Sequence, residues 1–128
     1  RATTIPLSDD GSGMRERLTS IDGAAAALDE SARVIRESRR EDREEASTAY
    51  SRVADEIRDT IGPLDRRRGA ADDIHCVLAA RDLVDKFRDA SDDYEYDADA
   101  ADDDEYERNQ LMASVYSSAA DALEEAFE

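Results

Sequence analysis

The chain reads as an all-α protein, and three observations carry that reading. Breakers are scarce, with five Gly and two Pro in 128 residues, so helix formers set the local preference nearly everywhere. Apolar residues recur at steps of three and four, and no segment alternates apolar with polar as a half-buried strand does. The one strong stop in the interior, Gly62-Pro63, has Gly at a C-cap and Pro opening the next element. The length fits a single domain with one modest core.

Residues 1–13, RATTIPLSDDGSG, form an irregular N-terminal arm, because Pro6 and the SDDGSG cluster oppose regular structure. Asp10 or Ser12 can cap the first helix. The single helical domain then spans 14–128. Met14, Leu18, Ile21, Ala25, Leu28, Ala32 and Ile35 step by four and three, the a/d stripe of a heptad pattern. The phase survives the polar interval ESRREDREE and resumes at Ala46, Ala49, Val53, Ile57 and Ile61. With no Gly or Pro between Ala24 and Ile61, the pattern predicts one long helix over about 14–61, roughly 70 Å at 1.5 Å per residue. The alternative is a break near Ser38, with Ser38-Arg-Arg-Glu41 as a capping box, which turns three long helices into a four-helix bundle.

A second helix is expected from Leu64 to Ala90, with Leu64, Ala71, Ile74, Leu78, Leu83, Val84 and Phe87 on its buried face. A third runs from Glu105 to Glu128, burying Leu111, Met112, Val115, Ala119, Leu123 and Phe127. A tight turn between two helices makes an antiparallel hairpin. The second helix spans roughly 40 Å and cannot cover a 70 Å partner. The stripe of Met14, Leu18, Ile21, Leu28 and Ile35 is therefore expected to stay open as an interface for a protein partner or a second copy, since exposed apolar stripes mark such sites.

Between these helices lies DASDDYEYDADAADDDEYE, residues 89–107, with eleven acids and no base; it supplies most of a formal net charge of -17. Its acidic patch, Asp92, Asp93, Glu95, Asp97, Asp99, Asp102, Asp103 and Asp104, reads as a solvated connector over about 91–104. A second reading is a partner-binding patch that imitates nucleic acid, with Tyr94, Tyr96 and Tyr106 interleaved. A calcium loop is excluded: after Asp97 and Asp99 the third ligand position is Ala101, and the segment has no Gly. Diffuse cation binding to such a surface is expected, and direct nucleic-acid binding is not, because phosphates are repelled.

Chemistry finds little else to work with. His75 is the only histidine, so Asp72-x-x-His75 lacks the second motif that a di-metal bundle requires. Cys76, the only cysteine, sits among Ile74, Val77 and Leu78 as a small apolar residue. Glu41-x-x-Glu44 and Asp82-x-x-Asp85 imitate the paired acids with which all-α NTP pyrophosphatases of the MazG type hold Mg²⁺. Acids fill more than a quarter of the chain, so such pairs arise by chance. No catalytic residue, cofactor or metal ligand is assigned.

Asp outnumbers Glu, and 16 of the 17 basic residues are Arg, Lys86 being the exception. Short hydrated carboxylates with almost no Lys fit a protein of a salt-in halophile or its virus, whose medium screens self-repulsion. No apolar run reaches the roughly 18–20 residues of a membrane span, and no signal peptide is evident, so a cytoplasmic or virion location is expected. A start at Arg1 fits a trimmed or a processed chain. The combined expectation is a non-enzymatic structural, assembly or adaptor protein acting through helix packing. An acidic inhibitor of a basic protein is second, and a small metal-dependent hydrolase third.

Overall fold

The computed structural model describes residues 12–62, 69–99 and 103–127 of the chain. Among them are four helices: α1 (Ser12–Arg36), α2 (Arg43–Ile61), α3 (Ala70–Asp99) and α4 (Asp103–Glu125). The chain folds as two helical hairpins, α1 with α2 and α3 with α4, that pack on each other so that every helix touches the other three. Of the arm expected over 1–13, residues 1–11 lie outside the described residues, as do Pro63, Leu64 and Asp102, while 12 and 13 already belong to α1.

The single helix expected over 14–61 does not form; the chain breaks at 37–42, and the four-helix arrangement is the one observed. No breaker residue causes this. The α1 terminus is closed locally, where the Ser38 hydroxyl donates to Ile35 O at 2.5 Å and accepts from the Arg40 N–H at 3.3 Å. Arg43 donates to Ser38 O at 3.3 Å, so the freed carbonyls keep partners. Arg40 holds both oxygens of Asp42 at 2.8 Å. Asp42 stands at the N-cap of α2 without a side-chain capping bond. The expected box at Ser38 and Glu41 thus fails, because Ser38 finishes α1 rather than starting α2.

Burial decides the outcome. From Glu37 to Glu45 no apolar side chain is present, so a continuous helix gains nothing there. Folding back at that point covers both stripes. Leu18, Ile21, Ala25, Leu28 and Ala32 on α1 and Ala46, Ala49, Val53, Ile57 and Ile61 on α2 are all buried. At roughly 25 cal/mol per Å² of apolar surface, such coverage outweighs the few hydrogen bonds a break interrupts. Ser38→Ala removes the hydroxyl at the turn and is expected to lower stability by about 0.5–1 kcal/mol, read as a shifted urea midpoint with unchanged slope.

Gly62 ends α2 as expected, with φ 70° and its N–H bonded to Arg58 O at 2.8 Å. Only Gly takes that left-handed φ freely. The first turn of α2 carries Glu44 and Glu45, favourable at the positive end of a helix dipole.

The second departure is α3, which continues nine residues beyond the expected Ala90. Its inward side is a heptad stripe with polar and small members: Ala80, Val84, Phe87, Ser91, Tyr94 and Ala98. Ser91 donates to Ala113 O at 2.8 Å, and Ala98 is buried against the bundle. Tyr94 stacks on Tyr116 of α4, ring centroids 5.8 Å apart and planes 11° from parallel. Residues 91–99 are therefore helix rather than connector. Leu78, expected inside, is 56% exposed, and Ala71 is exposed as well.

Ions tie the helices at their edges. Arg58 of α2 reaches Asp29 at 2.5 Å and Asp22 at 4.0 Å on α1. Lys86 of α3 meets Glu56 of α2 at 2.6 Å. Arg88 of α3 meets Glu124 at 2.6 Å and Asp121 at 3.3 Å on α4. Near the bundle's other limit Arg17 donates to Ala126 O at 2.9 Å, and Arg17 and Arg81 stand about 6 Å from the centre of the Phe127 ring. Exposed pairs of this kind contribute about 0–1 kcal/mol each and fix orientation more than stability.

Candidate functional site

The residues expected to form an open interface lie mostly inside the bundle. Leu18 and Ile21 are fully buried and Leu28 is 3% exposed, while Ile35 is half-buried. They are covered by the chain's own helices, because the break at 37–42 lets α2 fold onto α1. The side chain of Met14 lies outside the described residues.

The acidic patch has a different fate. Asp92, Asp93, Glu95 and Asp97 are exposed on α3. The side chains of Asp99, Asp103 and Asp104, like Asp102, lie outside the described residues. At 100° per residue, Asp82, Asp85, Asp89, Asp92 and Asp93 follow one another along the side of α3 opposite Phe87 and Ser91, with Glu95 and Asp97 on the flanks. The ridge from Asp82 to Asp97 is roughly 22 Å long at 1.5 Å per residue. Among the described residues none of these seven carboxylates has an ion-pair partner. Tyr96 stands on the same ridge, 77% exposed. The ridge extends further toward the α3 N-terminus than the sequence pattern marked. The signal for its rigidity was the spacing of Ser91, Tyr94 and Ala98 on the opposite side.

Arg33, Arg36, Arg39, Arg40 and Arg43 recur at steps of three and four in the sequence, and the break divides them between the end of α1, the connector and the start of α2. Arg33 pairs with Glu30 and, at 2.9 Å, with Glu37, which holds Arg33 more firmly protonated and the Glu30 carboxyl below its ordinary range. Arg40 pairs with Asp42, lowering that carboxyl in the same way. No ion pair among the described residues joins the ridge to them.

Metal chemistry gains no centre: among the described residues no group of three or more His, Cys, Asp or Glu side chains could hold an ion. Glu41 lies in the connector and Glu44 in the first turn of α2, so the pair does not share a helical face. Asp82 and Asp85 point to solvent, as do Asp72 and His75, and Cys76 is half-buried at the core's margin. No described helix is long and apolar enough to cross a membrane.

One concavity stands beside the ridge's helix. A surface cleft of about 600 Å³ opens between the first half of α2, the last third of α3 and the first half of α4. Its floor combines the Tyr94–Tyr116 stack with Leu111 and Met112, and Arg52 and Arg108 are among the charged residues lining it. Burial, the nearby Tyr94 and the Glu56 charge push the Tyr116 hydroxyl above its ordinary value, against the pull of Lys86 and Arg52. It therefore remains a neutral donor at any physiological pH. No protein-family profile matches this chain, and no curated protein sequence or solved structure shows significant similarity to it.

Proposed function

We propose that this chain is a non-enzymatic protein-binding module, an adaptor or assembly component, whose working surface is the acidic outer ridge of α3. The observation that supports it is a single one: seven carboxylates and one exposed tyrosine stand on a helix anchored by Phe87, Ser91 and Ala98. A rigid row of like charge loses little conformational entropy on docking, whereas a flexible tether loses much. Its complement is a basic surface on another protein, drawn in by long-range attraction. An inhibitor that occupies a basic nucleic-acid groove is one form of the same reading. The setting we infer is a salt-rich one, a halophile or its virus, for which the Lys-poor and Asp-rich surface argues.

The test separates this ridge from net charge alone. Asp89→Asn, Asp92→Asn and Asp93→Asn together should weaken binding of an oligo-arginine peptide about tenfold at roughly 0.15 M salt, at about 0.5 kcal/mol per exposed charge. A control with the same total charge, Glu16→Gln, Glu41→Gln and Glu125→Gln, should change it less than about twofold. Equal losses in both variants would mean that the ridge is not special.

A further inference from the structure

We infer that the cleft between α2, α3 and α4 is a binding site for a flat, apolar anion, such as an aromatic carboxylate or sulfonate. It is separate from the ridge, which points away from the bundle, and its ligand class is the reverse of what the ridge would take.

The cleft exists because of a mismatch in size across the bundle. In its lower half α2 presents Ile57 and Ile61 to the core, both fully covered. In its upper half α2 turns Ala49, with Thr48 and Arg52, toward Met112 and the two stacked tyrosines. A small residue facing large ones leaves room that the core does not fill. The resulting volume, about 600 Å³, falls in the range of small-ligand pockets, roughly 300–1,000 Å³. Its aromatic floor offers stacking, and Met112 adds a polarisable contact.

The sign of the ligand is set by which lining charge lacks compensation. Glu45 has Arg108 at 3.9 Å. Glu44 stands in the first turn of α2, where the helix dipole stabilises a carboxylate. Arg52 has neither kind of relief: among the described residues no carboxylate lies within ion-pair distance of it. A guanidinium left open beside an aromatic floor matches a planar anion, because its fork donates two parallel hydrogen bonds to a carboxylate or sulfonate. In a chain of net charge -17, long-range repulsion works against any anion. Salt that screens this repulsion should therefore cost the site less affinity than it costs the ridge.

The probe is 1-anilinonaphthalene-8-sulfonate, titrated against the folded full chain by calorimetry and fluorescence. One equivalent should bind and raise the thermal midpoint. Arg52→Gln should weaken binding about tenfold, the usual loss for one charge-assisted hydrogen bond. Thr48→Trp, at an exposed lining position, should abolish it by filling the cleft without disturbing the core. Arg36→Gln, which removes an exposed charge elsewhere, should leave it unchanged. The inference falls if Arg52→Gln and Thr48→Trp bind like the unaltered chain. It falls equally if Arg36→Gln loses as much as Arg52→Gln, if several equivalents bind without saturation, or if a cationic aromatic of the same size binds more tightly.

Discussion

Replacing Leu28 by aspartate is expected to unfold the chain rather than to release a folded subunit from a partner. Leu28 is 3% exposed and belongs to the one core cluster that draws on all four helices. Truncating such a leucine costs about 2.7–5 kcal/mol. Burying a carboxylate there adds several more. Domains of this size hold only about 5–15 kcal/mol of stability in total. Far-UV circular dichroism should lose its helical signal, and light scattering should report an expanded monomer. Val34→Ser and Leu78→Ser, at apolar positions 55% and 56% exposed, should stay within about 0.5 kcal/mol of the parent. A Leu28→Asp chain that kept full helicity while its mass fell would restore the stripe as an intermolecular interface and contradict its place in the core.

Phe87→Ala should be the most damaging truncation among uncharged substitutions. Phe87 is the largest fully buried side chain among the described residues, and its ring lies 5.7 Å from that of Tyr116, tilted by 47°. It sits midway along α3, where the inward stripe passes from aliphatic residues to Ser91 and Tyr94. The expected loss is about 3–5 kcal/mol, or roughly 15 °C in the thermal midpoint for a chain of this length. Phe87→Leu should lose about 1.5 kcal/mol or less, since shape changes while apolar character is kept. A Phe87→Ala loss below about 1 kcal/mol would mean that the cavity collapses, and with it the fixed position of Tyr116 in the cleft floor.

The helices were legible because their apolar periods are local. The α1 stripe, the stop at Gly62 and the inward residues of α4 can all be read from neighbours a few positions away. The break at 37–42 was legible only as the alternative near Ser38, since it has no Gly or Pro to announce it. It results from a comparison no local pattern contains: a bare polar interval against the burial gained when two stripes meet. The extension of α3 was hidden for a related reason. Ser91, Tyr94 and Ala98 keep the heptad phase, but eleven acids around them make the segment look like solvated chain. The carboxylates themselves were visible; that they stand on a rigid helix was not. The cleft lay furthest from reach, because it depends on Ala49 of one hairpin facing Met112, Tyr94 and Tyr116 of the other. Arg52 stands out only once the fold shows that no carboxylate among the described residues lies within ion-pair distance of it.

The Lys86–Glu56 contact has a practical side. Lys86 is the only lysine of the chain, two-thirds of its side chain is exposed, and its ammonium lies 2.6 Å from a Glu56 oxygen. That bond and charge hold it protonated above the ordinary lysine range. A carbodiimide that activates Glu56 would place an acylating carbon beside the chain's sole side-chain amine. The amine, once it has lost a proton, would attack that carbon and expel the urea, closing an amide between α2 and α3, a covalent staple joining the two hairpins at a single defined address.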